Sequence, residues 1–166
     1  MLVSRDTEHK QNYFRTKALA DLLSGAIGSS PVVTLLPGHG PSLLRFYAIE
    51  SGLKYLLQKI EKVPFSYQVK EGWAPDPYKD ASHIEKYSHD LTRMLSRLKV
   101  SAMAVTPPAG PFRVVGGYKN GQNFEVKDAQ EAWRYGLEVN LAHQLALEQF
   151  LIQLLTYIDG EIDGVY

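Results

Sequence analysis

The sequence predicts a mainly α-helical protein: an up-and-down bundle of four to five helices with a small β-hairpin inserted near residues 112–126. Three observations predict it. Long segments carry apolar residues at alternating steps of three and four, which is the period of an amphipathic helix. Clusters of proline and glycine separate these segments. One short region has apolar runs on both sides of Asn120-Gly121, a strong signal for a β-hairpin.

The first predicted helix covers residues 6–27 and ends at the Gly-Ser-Ser-Pro segment of residues 28–31. One stripe of this helix is apolar, and we expect it to face the core. Its members are Leu19, Leu22, Leu23 and Ala26. Residues 37–41 contain two prolines and two glycines, which predict an irregular connector.

The second predicted helix begins near Ser42 and closes at Val63-Pro64. Its apolar residues recur at helical spacing and predict a packed face. They are Phe46, Ile49, Leu53, Leu56 and Ile60. Residues 65–87, rich in Trp, Tyr and Pro, predict a surface loop.

The third predicted helix starts within residues 88–90, where Ser88 or Asp90 is a suitable N-cap. The last helical region covers residues 128–158. Gly136 and Asn140 predict a break near its middle, giving a short helix followed by a long one. We expect the acidic tail, residues 159–164, to be frayed or extended.

Length and composition limit the classes of protein to consider. The chain has 166 residues, which suits a single domain spanning 1–166 with a sizeable core. Its formal net charge is zero, so the overall charge does not favour a protein held to nucleic acid by phosphate neutralisation. It has no cysteine, which excludes disulfides, thiolate zinc sites and a cysteine nucleophile.

Two segments bear on where the protein resides. Charged residues follow Met1 within a few positions, and we expect no signal peptide because no apolar region of that kind appears. The most apolar stretch, residues 141–158, is interrupted by His143, Glu148 and three glutamines, which predicts a core helix rather than a membrane span. We therefore expect a cytoplasmic protein.

Three segments, in the expected order, carry a resemblance to a known family. Residues 47–57 contain an Ala, an acidic residue and a Leu-Lys pair, and resemble the second-helix signature of HEPN-like (higher eukaryotes and prokaryotes nucleotide-binding) helical-bundle proteins. Residues 88–91, Ser-His-Asp-Leu, resemble the start of their third helix. Residues 133–136, Trp-Arg-Tyr-Gly, resemble the element before their last long helix.

The resemblance implies a bundle that commonly forms homodimers. It also implies a prokaryotic setting: toxin–antitoxin systems, anti-phage defence or partnership with a nucleotidyltransferase. Many members are metal-independent ribonucleases, and others bind RNA, nucleotides or proteins without cutting them.

The arginine and histidine of the family's ribonucleases are not spaced here in the usual way. The family uses an Arg followed five to seven residues later by a His. The matching arginine is Arg134, but positions 139–141 hold Val, Asn and Leu, none of which can act as a base at neutral pH. The nearest later histidine, His143, is nine residues away. On a continuous helix this is about half a turn out of phase.

Most of the further candidate residues have two possible interpretations, one functional and one structural. Tyr135 and Asn140 flank the expected site, and Asn140 is also a suitable helix cap. Glu50 and Lys54, four residues apart on one helix, either line a cleft or form a surface ion pair. His89 and Asp90 form either an oriented acid–base pair or a cap with its neighbour. The five histidines lack a paired metal spacing, so we expect no metal site, and we expect no cofactor.

These observations favour a non-catalytic or divergent HEPN-like protein that binds RNA, a nucleotide or a protein. We expect a homodimer or a subunit of a larger assembly, with a partner surface on the last helix, the hairpin and the aromatic loop. One alternative is a metal-independent ribonuclease whose active site is displaced to Arg134 and His143. Another is a substrate-binding partner of a nucleotidyltransferase.

Overall fold

A computed structural model describes residues 5–29, 39–66 and 83–164. These residues form five helices and one two-stranded antiparallel sheet, which confirms the predicted fold class. The helices are α1 (Arg5–Ser29), α2 (His39–Lys59), α3 (Leu91–Arg97), α4 (Ala129–Arg134) and α5 (Leu141–Gly164). The strands are β1 (Phe112–Arg113) and β2 (Asn123–Phe124).

Helix α2 is the centre of the fold, because α1, α3, α4 and α5 all pack against it. Four of the five apolar residues predicted to form its packed face are fully buried, and only Ile60, which follows the end of the helix, is exposed. The closest packing is at Gly52. A Cβ atom added there would lie 2.8 Å from Ile158 of α5 and 2.9 Å from Tyr13 of α1, so the three helices meet where a side chain is missing.

Helix α1 packs through a different face from the one predicted. Leu19, Leu22 and Leu23 are 48%, 71% and 39% exposed, whereas Tyr13 and Ala20 are fully buried. The expectation that the leucine stripe faces the core is therefore wrong for these three residues. The side chain of Ala26, the fourth member, lies outside the described residues.

Polar contacts explain why α1 packs through the Tyr13 face. The hydroxyl of Tyr13 donates a hydrogen bond of 2.6 Å to Asp159 of α5, and Lys17 forms an ion pair with the same carboxylate. Burial, first of all, and the bond to Asp159 raise the pKa of the Tyr13 hydroxyl. Arg45 of α2 donates to the hydroxyl of Ser24. These partners are distant in sequence, so the periodicity of α1 could not reveal them.

The ends of α2 differ from the prediction. The helix begins at His39, three residues before the expected start, and Gly40 and Pro41 lie in its first turn. Proline is tolerated there because the first N–H groups of a helix have no partner within the helix. The helix ends at Lys59, before the expected Val63-Pro64. Of the predicted connector, residues 37 and 38 lie outside the described residues, whereas residues 39–41 form the first turn of α2, so the prediction of irregular structure is wrong for these three.

Helix α3 begins where the sequence predicted. Asp90 is its N-cap and accepts a 3.0 Å hydrogen bond from the backbone N–H of Arg93. Before it, Ile84–Tyr87 forms a single 3-10 turn. Residues 67–82 of the predicted aromatic loop lie outside the described residues.

The hairpin and the break in the last helical region are both confirmed. Phe112 pairs with Phe124, and Gly121 in the turn has a φ of +82°, which glycine adopts without strain. The break contains Gly136, with a φ of +62°. The prediction of a frayed tail is wrong, since α5 continues to Gly164 and buries Ile162.

Backbone hydrogen bonds join the hairpin to the α4–α5 connection. The N–H of Val115 donates to the carbonyl of Glu138, and the N–H of Asn140 donates to the carbonyl of Arg113. Beneath these bonds, Val114, Ala132 and Leu137 form a small apolar cluster separate from the main core. We call this part of the molecule, residues 112–140, the hairpin end.

Candidate functional site

Arg134 and Tyr135 mark the end of α4. Both side chains are exposed, and the guanidinium carbon of Arg134 lies 6.0 Å from the centre of the Tyr135 ring. This is cation–π distance. Tyr135 itself is 57% exposed, so its ring remains largely available to a partner.

Asn140 and His143 begin α5. The side-chain oxygen of Asn140 accepts from the backbone N–H of Ala142 at 3.1 Å, so Asn140 caps the helix, one of its two predicted roles. Nδ1 of His143 accepts a 2.9 Å hydrogen bond from the backbone N–H of Arg113. An accepting Nδ1 carries no proton, so the neutral ring holds its proton on Nε2. The histidine thereby fastens the hairpin to α5.

The helix break changes how Arg134 and His143 are related. The half-turn offset calculated for a continuous helix does not describe this pair, because residues 135–140 are not helical. The two residues lie on either side of the break, and each has a local partner: the Tyr135 ring for Arg134, and the Arg113 backbone for His143.

Glu50, Lys54 and His89 form a second group, away from the hairpin end. The Glu50 carboxylate accepts from the Lys54 ammonium with one oxygen and lies 2.7 Å from Nδ1 of His89 with the other. The Glu50 and Lys54 side chains are each only 13% exposed. This is a sheltered ion pair shared with a histidine, rather than a fully solvated surface pair.

One of the two interpretations paired His89 with Asp90 as acid and base, but the carboxylate partner of His89 is Glu50, 39 residues earlier in the chain. Asp90 is occupied as the cap of α3. Because Nδ1 faces a carboxylate, the neutral ring of His89 carries its proton there, and Nε2 is an acceptor. The sequence could not indicate this partner, since only the packing of α2 against α3 brings the two residues together.

His9 of α1 lies near this second group and was missed in the sequence. Its ring stacks on Phe65 with centroids 5.7 Å apart. Burial, and then the positive charge of Lys54, lower the pKa of His9 below its ordinary value. The sequence showed only a histidine near a chain terminus.

Large apolar side chains are exposed at the hairpin end and along one side of α5. Leu141 and Tyr118 are each 72% exposed, and Leu145 and Ile152 are more than half exposed. Val115 and Tyr135 belong to the same set. The opposite side of α5 carries the buried core residues Leu147, Phe150, Leu151, Leu154, Leu155, Ile158 and Ile162. The helix therefore has two apolar sides, only one of which is covered.

A polar network lies between the two sides of α5. The indole N–H of Trp133 donates to Gln144 at 2.9 Å, and the Gln144 amide donates to Glu148 at 2.8 Å. Ser42 of α2 donates to the same oxygen of Glu148 at 3.2 Å. These bonds turn the Glu148 carboxylate toward α2 and away from the exposed side.

The hairpin end also contains a cavity of about 180 Å³ between the hairpin and α4. Its floor is apolar and its rim is polar. The lining residues are Val114, Lys119, Gln122, Asn123, Phe124, Asp128, Glu131, Ala132 and Leu137.

In the described ranges, no three His, Asp or Glu side chains are grouped so that they could hold a metal ion. Within those same ranges, no helix has both the length and the hydropathy needed to cross a membrane. Comparison of the chain with protein-family models, with curated proteins and with solved structures finds no match.

Proposed function

We propose that this protein is a divergent HEPN-like subunit that acts by binding rather than by cutting RNA, and that its partner at α5 is a second copy of the chain. The observation that carries the proposal is the exposed apolar row Leu141, Leu145 and Ile152 on α5. The toxin–antitoxin or anti-phage setting follows from the resemblance alone. It belongs to the same proposal.

The spacing of this row suits self-association. Leu145 and Ile152 are equidistant from a point between Glu148 and Gln149. In an antiparallel pair of helices related by a two-fold axis at that point, each Leu145 packs against Ile152 of the other copy. Glu148 is turned toward Ser42 and Gln144, so the neutral side chain of Gln149 is left near the axis.

The charges at the two ends of α5 favour the antiparallel arrangement. Arg113 and Arg134 are exposed near its N-terminal end. Glu161 and Asp163 lie in its C-terminal turns, where Asp159 is already paired with Lys17 and Tyr13 of α1. Antiparallel pairing brings these two arginines of one copy toward the acidic C-terminal turns of the other, and it also opposes the helix dipoles favourably.

Charge at the hairpin end favours a protein over a nucleic acid as the ligand of this surface. Residues 112–140 contain four basic and four acidic side chains, so they supply no excess of positive charge for phosphates. Exposed Tyr and Arg side chains without a net charge are instead typical of protein interfaces.

Sedimentation velocity across micromolar concentrations tests the proposal. We expect the wild type to be a dimer and Leu145→Glu to be a monomer, because a buried carboxylate at the interface has no partner. Leu22→Glu is the matched control, since Leu22 is also exposed, at 71%, but lies on α1. It should stay dimeric. A monomeric wild type, or a dimer lost only in Leu22→Glu, would refute the α5 interface.

A pair of double variants tests the antiparallel register. Leu145→Lys with Ile152→Glu places opposite charges against each other across the proposed two-fold axis, whereas Leu145→Glu with Ile152→Glu places like charges there. The first double variant should retain more dimer than the second. If both double variants dissociate equally, this register is contradicted. Dimerisation itself is tested separately, by sedimentation of the wild type.

A ribonuclease with Arg134 and His143 is the second candidate. The observation in its favour is the break at residues 135–140, which removes the objection based on helical phase. Incubation of the wild type and His143→Ala with RNA in EDTA decides it. Cleavage by the wild type alone would establish the nuclease and overturn the binding-only proposal; no cleavage by either, or equal cleavage by both, would refute it.

A further inference from the structure

We infer that the cavity between the hairpin and α4 receives an arginine side chain of a partner polypeptide. This site is separate from the self-association proposed for α5. It would give the protein a second specificity, for a basic peptide segment, on the surface of the hairpin end.

The size and floor of the cavity suit one long side chain. Its volume of about 180 Å³ is below the usual range for a drug-sized ligand. Val114, Ala132 and Leu137 at the floor are each no more than 3% exposed, and they form their own apolar cluster. An aliphatic stem entering the cavity would pack against these side chains and leave its polar head at the rim.

The rim favours a positively charged head. It carries two carboxylates, Asp128 and Glu131, and one ammonium, Lys119, so it has a formal charge of −1 (one minus two). Gln122 and Asn123 add amide oxygens that accept hydrogen bonds. A planar guanidinium has five donors and can satisfy several acceptors at once, which favours arginine over lysine.

Lys119 holds its place at the rim only weakly. Its ammonium is 3.6 Å from Glu131, beyond hydrogen-bond distance, and the two side chains are 33% and 48% exposed. It also lies 5.8 Å from the centre of the Tyr118 ring, which is 72% exposed. An incoming guanidinium can therefore replace Lys119 beside Glu131 without breaking a buried interaction.

NMR titration with N-acetyl-arginine-N-methylamide tests this site. We expect amide shifts concentrated in residues that line the cavity, weaker binding of the lysine analogue, and no such shifts with the neutral norleucine analogue. Equal affinity for the arginine and lysine analogues would overturn the choice of arginine. Equal shifts with norleucine would overturn the requirement for a charge, and shifts scattered over the surface would refute the site.

Two conservative variants should change the affinity in opposite directions. Glu131→Gln removes an acceptor charge and should weaken arginine binding about threefold, whereas Lys119→Met removes the competing cation and should tighten it about threefold, as expected for partly exposed ion pairs. Weaker binding in both variants would refute the competition between Lys119 and the ligand. Both side chains are partly exposed, so neither substitution disturbs the core. Sedimentation of the same variants should show an unchanged oligomeric state, which distinguishes a change in arginine binding from a change in the α5 dimer.

Discussion

Helices α1 and α5 are the two longest in the fold, and they use their apolar residues differently. Helix α5 buries seven residues in the core and exposes a second apolar row on its opposite side. Helix α1 exposes its leucine stripe and packs on α2 through a face that buries Tyr13 and Ala20. Its attachment depends on polar contacts to Asp159 and Arg45 as well as on apolar burial.

This difference shows what apolar periodicity measures. It identifies a stripe on a helix, but it does not identify the surface that covers the stripe. In α5 the richest apolar stripe faces the core because α2 lies beside it. In α1 the close approach at Gly52 and the bonds made by Tyr13 select another face, although the leucines are more hydrophobic as a group.

The largest expected effect is a loss of stability on truncating a leucine, which should be large on the buried side of α5 and small in the exposed stripe of α1. Leu154→Ala, at a fully buried position, should lower the free energy of unfolding by about 2–5 kcal/mol. Leu22→Ala should change it by no more than about 0.5 kcal/mol. Urea denaturation at one fixed protein concentration measures both. A loss of comparable size in Leu22→Ala would mean that the α1 stripe is covered after all.

The second effect concerns the junction of α1, α2 and α5. Gly52→Ala forces a methyl group against Ile158 and Tyr13 and should lower the free energy of unfolding by about 1–3 kcal/mol. Gly160→Ala is the matched control, because a Cβ there meets nothing within 4 Å, and it should raise stability by about 0.5 kcal/mol. Thermal unfolding compares them. A stabilised Gly52→Ala protein would show that the three helices can move apart without cost.

The smallest expected effect is a loss of folding stability at acidic pH, caused by His9 of α1. The pKa of His9 is lowered in the folded state, so folding favours its neutral form. Its contribution to stability is present above the unfolded pKa of about 6.5 and is lost as the pH falls through the folded value. The free energy of unfolding should therefore decrease as the pH is lowered from about 7 to about 5.

The variant His9→Gln should show a shallower fall in stability over that range. His39 has a pKa lowered in the same direction by burial, so some dependence should remain. Denaturation curves collected at several values between about pH 7 and pH 5 give the change in the free energy of unfolding with pH. An unchanged slope in His9→Gln would exclude this residue as the cause.

Local signals predicted much of the fold. Asp90 as the cap of α3, Asn120-Gly121 in the hairpin and the break at Gly136 were all readable from a few neighbouring residues. The errors arose where distant contacts decide the outcome. The tail is helical because Ile162 is buried and Asp159 is held by Tyr13, which no local pattern contains.

The candidate sites were predictable only in part, for the same reason. The sequence singled out Glu50, Lys54 and His89, and the fold brings them together through α2 and the turn before α3. It could not show that Glu50 rather than Asp90 accompanies His89. The cavity at the hairpin end was not foreseen, because its floor and rim come from two elements whose packing the sequence does not specify.

The small apolar cluster under the hairpin has a consequence for how this protein can evolve. Val114, Ala132 and Leu137 pack with one another rather than within the main core, so substitutions at these three positions are partly insulated from the stability of the bundle. Phe112, Val126, Ala129 and Trp133 of the hairpin end belong to the main core and do not share this freedom. A lineage could therefore exchange the exposed part of the recognition surface while the helical body stays the same. Faster divergence in the hairpin turn, residues 115–121, than in α2 is the expected record of such a history.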